Sequence, residues 1–427
     1  MSAKGDKFYA WANASKCGIK GECGGAVTAL LKYALENKIV DAVLTVKKGV
    51  DIYDAIPTLI TDPADLAKSA GSLHCGTLLL PKLIQKYMDG AKDMKIAVTV
   101  KGCDAKAMYE LAKRGKVNLD NIVMIGLNCG GSVSPQMARK MITEKYGINP
   151  DDVVKEEIDK GQFIVMLKDG THKGIKIDEL EEEGLGRRPN CQRCETKIPR
   201  QADLACGNWG VIGPQAGKAT FVEVCSEKGA KLFDGAVKAG LLETSAPDAK
   251  GLEIRDKVEK VMITMGKKAQ AKQFAELGYG AKRLEFMQAE SSRCIKCYTC
   301  VEQCPVTCCD NIKADMADLV TPGRIPPNFM FHMIRYSYVG PSCINCGQCQ
   351  ELCPMDIPNA LFMHAMQKDI QELFGYGEPG CDLTLPPLAS SDEKRGAGFV
   401  FFKMPTSTAE YKDEMSGYYK VNVKPTE

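Results

Sequence analysis

The stretch Ile96-Ala-Val-Thr-Val100-Lys-Gly-Cys103-Asp104, followed after a helix-like segment by Ile122-Val-Met-Ile-Gly-Leu127-Asn-Cys129-Gly130, decides the fold. Two short apolar runs flank Asp104–Lys113, and strand, helix and strand in that order predict parallel neighbours in one buried sheet. Cys103 and Cys129 then lie just past the carboxyl ends of two strands. That edge is where open α/β sheets place ligands. Outward from this unit, Asp41–Val46, Phe163–Leu167 and Phe221–Val224 read as further buried strands. Gly24 and Gly25 open a helix whose Val27, Leu30, Leu31 and Ala34 recur at helical spacing. The expected fold is an α/β core over residues 1–250, a helical connector over 251–285, an α-helical ferredoxin-type domain over 286–375 and an extended tail over 376–427.

The length of 427 residues suits roughly three domains. Lys and Arg number 56 against 54 Asp and Glu, so the chain lacks the basic excess of a dedicated nucleic-acid binder. No N-terminal basic and apolar pair of regions reads as a secretory signal, and no run of about 18 apolar residues occurs. The expectation is a protein of the reducing cytoplasm, without membrane insertion. There, 20 Cys beside only 4 scattered His point to thiolate ligands rather than disulfides.

The run Cys294-Ile-Lys-Cys297-Tyr-Thr-Cys300-Val-Glu-Gln-Cys304-Pro305 recurs 49 residues later as Cys343-Ile-Asn-Cys346-Gly-Gln-Cys349-Gln-Glu-Leu-Cys353-Pro354. This spacing supplies three thiolates from one loop to one 4Fe-4S cluster and the fourth to its partner cluster. The predicted sets are Cys294, Cys297 and Cys300 with Cys353, and Cys343, Cys346 and Cys349 with Cys304. Zinc ribbons would show paired Cys without the third Cys and the Cys-Pro. The intervening Phe329, Met330, Met333, Ile334 and Tyr336 fall at helical spacing, so helices separate the two loops. Cys191-Gln-Arg-Cys194 could join Cys103 and Cys129 in a third site. Its spacing leaves open a 4Fe-4S cluster, a four-thiolate zinc site and buried free thiols. The other Cys, including Cys23, Cys75, Cys308, Cys309 and Cys381, read as bystanders. Gly375-Tyr-Gly-Glu-Pro-Gly380 matches a dinucleotide fingerprint only by chance, because no strand precedes it and Pro379 interrupts the helix. Cys23-Gly24-Gly25 ahead of Thr28 reads either as a phosphate cradle or as an ordinary helix cap.

Cys23-Gly-Gly-Ala-Val-Thr-Ala-Leu-Leu31, Ala70-Gly-Ser72, Lys101-Gly-Cys-Asp104, Leu127-Asn-Cys-Gly130, Cys191-Gln-Arg-Cys194 and Ala202-Asp-Leu-Ala-Cys-Gly-Asn-Trp-Gly210 occur in the order of the coenzyme F420 hydrogenase/dehydrogenase beta-subunit family. The resemblance covers roughly residues 10–245. It implies one FAD and one 4Fe-4S cluster in this part, the cluster on Cys103, Cys129, Cys191 and Cys194. It also implies flavin contacts from Gly24, Gly25, Thr28, Ser72, Lys101, Gly102, Asn208 and Gly210. Two motifs depart from the family: Gly-Thr-Pro-Cys becomes Lys101-Gly102-Cys103, and Gly-Asp ahead of Trp-Gly becomes Gly207-Asn208. The domain order resembles that of formate-dehydrogenase members. It implies F420 as substrate, a catalytic alpha subunit carrying a molybdenum- or tungsten-pterin as partner, and a larger assembly such as one with heterodisulfide reductase. Single electrons from the clusters would be paired at the flavin and leave as hydride, with no protein acid, base or nucleophile required. Two other readings are the input subunit of an F420H2 dehydrogenase and a flavin-free polyferredoxin-like relay.

Overall fold

The computed structural model describes residues 1–19, 21–159, 161–306, 328–387, 389–391 and 399–401. Its centre is an eight-stranded sheet built from β1 (Lys7–Ala12), β2 (Ala42–Lys48), β3 (Ala55–Ile60), β4 (Ile96–Val100), β5 (Ile122–Leu127), β9 (Leu204–Gly207), β10 (Thr220–Val224) and β11 (Leu242–Ser245), in the order β11-β1-β10-β9-β5-β4-β2-β3. Strands β2, β4, β5 and β9 are parallel, with Ile96 opposite Ile122 and Val100 opposite Gly126. Strands β3 and β10 run against them, and β1, antiparallel to β10, again points the same way as the central four. The parallel reading of β4 and β5 therefore holds.

Strand alternation divides the core. Ala97, Val123 and Ile125 face a cluster completed by Leu30 and Leu31 of α1 (Ala26–Glu36) and by Leu232 and Phe233 of α3 (Glu227–Lys238). Ile96, Val98, Val100, Ile122 and Met124 face Ala105, Met108 and Leu111 of α2 (Gly102–Lys113). Both faces of the central strands are covered, which is why they read as unbroken apolar runs. Full burial of Leu30 or Leu31 contributes about 1.5–3 kcal/mol each.

A second, three-stranded antiparallel sheet holds β6 (Val153–Asp159), β7 (Gln162–Leu167) and β8 (His172–Lys176). The predicted strand at Phe163–Leu167 exists but belongs here, not to the main sheet. Only Phe163 and Val165 of it are buried, against Tyr146 and Leu180, so one face of this sheet is covered.

The connector is two helices, α4 (Ala249–Leu277) and α5 (Gly280–Ser292), after which the cysteine loops begin. Helix α6 (Asn328–Val339) carries the predicted apolar spacing, and α7 (Asn359–Phe374) follows the second loop. Cys308, Cys309 and most of the tail beyond residue 387 lie outside the described residues. The chain just after α7 packs on α2: Lys106 Nζ lies 2.6 Å from Glu378 Oε1, and a Cβ on Gly380 would stand 2.4 Å from the Lys106 carbonyl oxygen. A buried network ties the two parts together. Glu110 pairs with Lys113 at 2.6 Å and Arg114 at 2.8 Å, and Arg114 Nη2 donates to Ser342 Oγ at 2.7 Å. No described helix is long and apolar enough to cross a membrane.

Candidate cluster and cofactor sites

At the carboxyl edge of β4, the Lys101 backbone N–H donates to Asp104 Oδ2 at 2.9 Å and so caps α2, which places Cys103 in its first turn. Lys101 Nζ is held by Asp104 Oδ2 at 2.7 Å and the Leu78 carbonyl at 2.9 Å. From the end of β5, Cys129 N–H donates to the Lys197 carbonyl at 2.9 Å, which draws the loop after Cys194 alongside. A single turn of helix, Pro189–Gln192, presents Cys191, and its sulfur lies 3.8 Å from Ser132 Oγ. Gly266 of α4 lets that segment approach, because a Cβ there would lie 2.6 Å from the Cys194 carbonyl oxygen.

Cys103, Cys129, Cys191 and Cys194 are thereby brought within mutual electrostatic reach. Burial, then Asp104, pushes the Cys103 thiol up, with Cys129 and Cys191 adding to it. Cys129 is pushed up to about 11 by burial and by Cys191. Among the described residues no three Cys, His, Asp or Glu side chains close in tightly enough for one metal ion. A tetrahedral zinc with bonds of about 2.3 Å needs its sulfurs about 3.8 Å apart, whereas a four-iron cube holds each thiolate on a separate iron.

Cys304, Cys343, Cys346 and Cys349 line one small apolar cavity with Pro305, Ile344 and Met363. Burial raises the Cys294 and Cys300 thiols, and Cys297 and Cys353 add to both, so these four cysteines are electrostatic neighbours. The two loops share one backbone device: Lys296 (φ 54°) and Tyr298 (φ 61°) flank Cys297 as Asn345 (φ 54°) and Gly347 (φ 77°) flank Cys346. Left-handed residues on both sides of the middle Cys curl the chain around a common centre. A tyrosine in that region is costly and marks a loop dictated by what it encloses. Cys297 is exposed, whereas Cys343 and Cys349 are buried.

Anionic thiolate sites need cationic surroundings, and the structure supplies buried ones that sequence reading missed. Arg335, fully buried on α6, donates Nη2 to the Cys300 carbonyl at 2.6 Å, while its Nε and Nη1 meet no acceptor among the described residues. Arg188 and Arg193 bracket Cys191 and are both buried. Their nearness to Cys191 and Cys194 is visible in the sequence, but their burial is not. Four soft donors in each of three sets, with orphaned guanidiniums beside them, fit iron-sulfur clusters.

The residues assigned to a flavin by resemblance fall into three places. Gly24, Gly25 and Thr28 open α1, and the Ser72 N–H reaches their loop by donating to Glu22 Oε2 at 3.2 Å. Gly25 (φ 71°) gives the helix no side-chain cap, and a first turn without such a cap is what a phosphate cradle requires. Gly24 also has a steric reason, because a Cβ would stand 2.2 Å from the Lys218 carbonyl oxygen. Lys101 and Gly102 adjoin the thiols instead. Asn208 follows β9, whereas Gly210 has turned away to pack on α4, its carbonyl accepting from Tyr9 Oη at 2.6 Å.

Comparison with known proteins agrees with this geometry. Residues 7–85 match the N-terminal part and residues 93–250 the C-terminal part of the coenzyme F420 hydrogenase/dehydrogenase beta-subunit family. The chain is 53% identical to the F420-dependent formate dehydrogenase subunit beta of Methanocaldococcus jannaschii, over 86% of this chain and 95% of that protein. It is 51% identical to the F420-dependent formate dehydrogenase 1 subunit beta of Methanococcus maripaludis, over 90% and 97%. A chain of the F420-reducing [NiFe] hydrogenase complex from Methanosarcina barkeri shares the fold at a TM-score of 0.53 and 21% identity, covering 64% of this chain and 93% of that one. With both halves of the core matched and half the residues identical over nearly whole relatives, the chain belongs to the coenzyme F420 hydrogenase/dehydrogenase beta-subunit family of oxidoreductases.

Proposed function

We propose that the chain is the electron-transferring beta subunit of an F420-dependent formate dehydrogenase, holding three 4Fe-4S clusters and FAD and reducing coenzyme F420. This reading is supported by twelve cysteines that fall in three sets of four in the sequence, with the buried Arg188, Arg193 and Arg335 beside them. When bound, the clusters supply single-electron transfer and the flavin supplies the pairing of two electrons into a hydride. The chain's own residues hold, space and electrostatically tune these groups. Cys294, Cys297, Cys300 and Cys353 form the outward set, since Cys297 is exposed. Cys304, Cys343, Cys346 and Cys349 lie between it and the set at the sheet edge. Support for formate as the electron source comes from the names of the relatives and from the ferredoxin-type domain that follows the core. The source itself would be an alpha subunit with a molybdenum- or tungsten-pterin, and association with heterodisulfide reductase belongs to the same proposal, as does a cytoplasmic location.

The test is anaerobic purification of the full chain with metal and flavin analysis. Twelve irons and one FAD are expected, with Cys103→Ala falling to eight irons and Cys381→Ala remaining at twelve. Reduced F420 should donate to an artificial one-electron acceptor much faster than NADH, and formate should donate only when the alpha subunit is added. Eight irons with one zinc would remove the third cluster. A chain without FAD would instead be a flavin-free relay, and equal rates with NADH would refute the F420 assignment.

A further inference from the structure

Two arginines flank the helical turn Pro189–Gln192, and they differ in how their charge is met. Arg188 Nε lies 3.1 Å from Glu351 Oε2, and its Nη2 donates to the Cys346 carbonyl at 3.3 Å. Its charge has a carboxylate. Arg193, fully buried, donates Nε to His364 Nδ1 at 3.1 Å and Nη1 to Gln273 Oε1 at 2.7 Å. A ring nitrogen that accepts a hydrogen bond carries no proton, so that imidazole is neutral. Gln273 is neutral as well, and Arg193 Nη2 has no acceptor among the described residues. Burial opposes the charge of Arg193, and the groups that favour it are Cys343 and Cys349 from one set and Cys191 and Cys194 from the other. A buried guanidinium whose hydrogen-bond partners are neutral is costly unless an anion compensates it. The groups within its reach that would carry a compensating negative charge, once they hold clusters, are cysteine sulfurs of two neighbouring sets.

We propose that Arg193 is a positioning residue for electron transfer between the cluster on Cys304, Cys343, Cys346 and Cys349 and the cluster on Cys103, Cys129, Cys191 and Cys194, its fixed positive charge favouring the reduced form of both. The proposal rests on the three-cluster reading above. Each transfer moves one electron from one cluster to the other, with no bond made and no proton moved, so one cluster is oxidised as the other is reduced. A shared cation between them raises both potentials together and leaves the step between them little changed. Arg335 lies between the outward and middle sets, near Cys300, Cys349 and Cys304, whereas Arg193 is not among the charges that act on Cys294 and Cys300, so the outward cluster lies beyond its effect.

The experiment is an anaerobic redox titration of the full chain followed by electron paramagnetic resonance, with iron counted in parallel. Arg193→Gln should lower the reduction equilibrium constants of the two inner clusters at least tenfold, a shift of about 59 mV or more to negative potential for a one-electron couple. The outward cluster should stay within twofold. Arg193→Lys, which keeps the charge, should hold all three within threefold of the wild type. If Arg193→Gln loses iron while Arg193→Lys keeps twelve irons and the original potentials, the need for charge is upheld. If both lose iron, shape rather than charge is required and the proposal fails. It fails also if Arg193→Gln keeps twelve irons with unshifted potentials. Fewer than twelve irons in the wild-type chain would overturn the three-cluster reading first, and this proposal with it.

Discussion

Replacing Gly102 by alanine tests whether the sheet-edge site is closed by close packing of two backbones. Gly102 opens α2 immediately before Cys103, and a Cβ there would stand 2.7 Å from Thr196 Cγ2, 2.8 Å from the Thr196 carbonyl oxygen and 3.2 Å from Thr196 Cβ. A methyl group displaces a flexible side-chain tip at little cost, but the same Thr196 carbonyl accepts from Cys194 Sγ at 3.6 Å. Moving it therefore moves Cys194 away from Cys103. Overpacking of this kind costs about 1–3 kcal/mol, a factor of roughly 5 to 150 in the population of the closed arrangement. Gly102→Ala should thus lose up to four irons on anaerobic incubation with a chelator, at a rate well above that of the wild type, and should unfold at lower temperature. Thr196→Ser removes Cγ2 but leaves the carbonyl, so Gly102→Ala combined with Thr196→Ser should recover only part of the loss. That coupling is read from a double-mutant cycle. A Gly102→Ala chain with unchanged iron retention and unfolding temperature would refute the argument, as would full rescue by Thr196→Ser.

Glu110→Ala should destabilise the whole chain by about 3–5 kcal/mol, because it strips the counter-charge from Lys113 and Arg114 where all three side chains are buried; thermal unfolding of the apo and cluster-loaded chains should both register it. Glu378 is partly buried, and although burial opposes its charge, Lys106 and Lys368 hold its carboxyl well below the usual glutamate range. Its folded pKa lies below its unfolded one, so its contribution is complete above about pH 4.3 and is lost as the pH falls toward the folded value. Protection factors of the amides at residues 376–382 should fall between pH 4 and pH 2 in the wild type and be low already at pH 4 in Glu378→Gln; equal protection in the two chains at pH 4 would show that the ion pairs do not dock this segment.

The repeated cysteine runs carry the strongest pattern in the sequence, and the structure gives both the same left-handed turns around the middle Cys. Strands β4 and β5 were legible because burial on both faces leaves no polar position to confuse the period. The strand at Phe163–Leu167 was readable as a strand but not as a member of a separate sheet, since a short apolar run does not encode its partner. Strands β1, β3, β9 and β11 were not foreseen. The burial of β1, β3 and β11 is mixed, with Lys7 and Trp11 in β1 and Glu243 in β11 only partly covered or exposed, and β9 is a buried run of only four residues. Arg193 and Arg335 escaped for a different reason. Burial of a charged side chain depends on what surrounds it in three dimensions, and neither residue stands in a local pattern that distinguishes it from a solvated arginine. Gly102 and Gly210 entered as cofactor candidates, yet each has a packing neighbour that demands glycine whatever the cofactor does.

Strand β11, the last of the main sheet, pairs with β1, the first, through Tyr9 opposite Ser245 and Ala12 opposite Leu242. The α/β unit thus finishes its hydrogen-bonded ladder where it began it, and the chain leaves from a completed edge. Among the described residues, those after Ala249 attach to that unit by side-chain contacts and ion pairs, and no strand is shared across the join. Such a join makes the molecule modular in the hereditary sense. A cluster-bearing segment can be gained, exchanged or shed after β11 without breaking a backbone hydrogen bond of the sheet, so new electron sources can be wired to an old core by adapting only the side chains that line the seam.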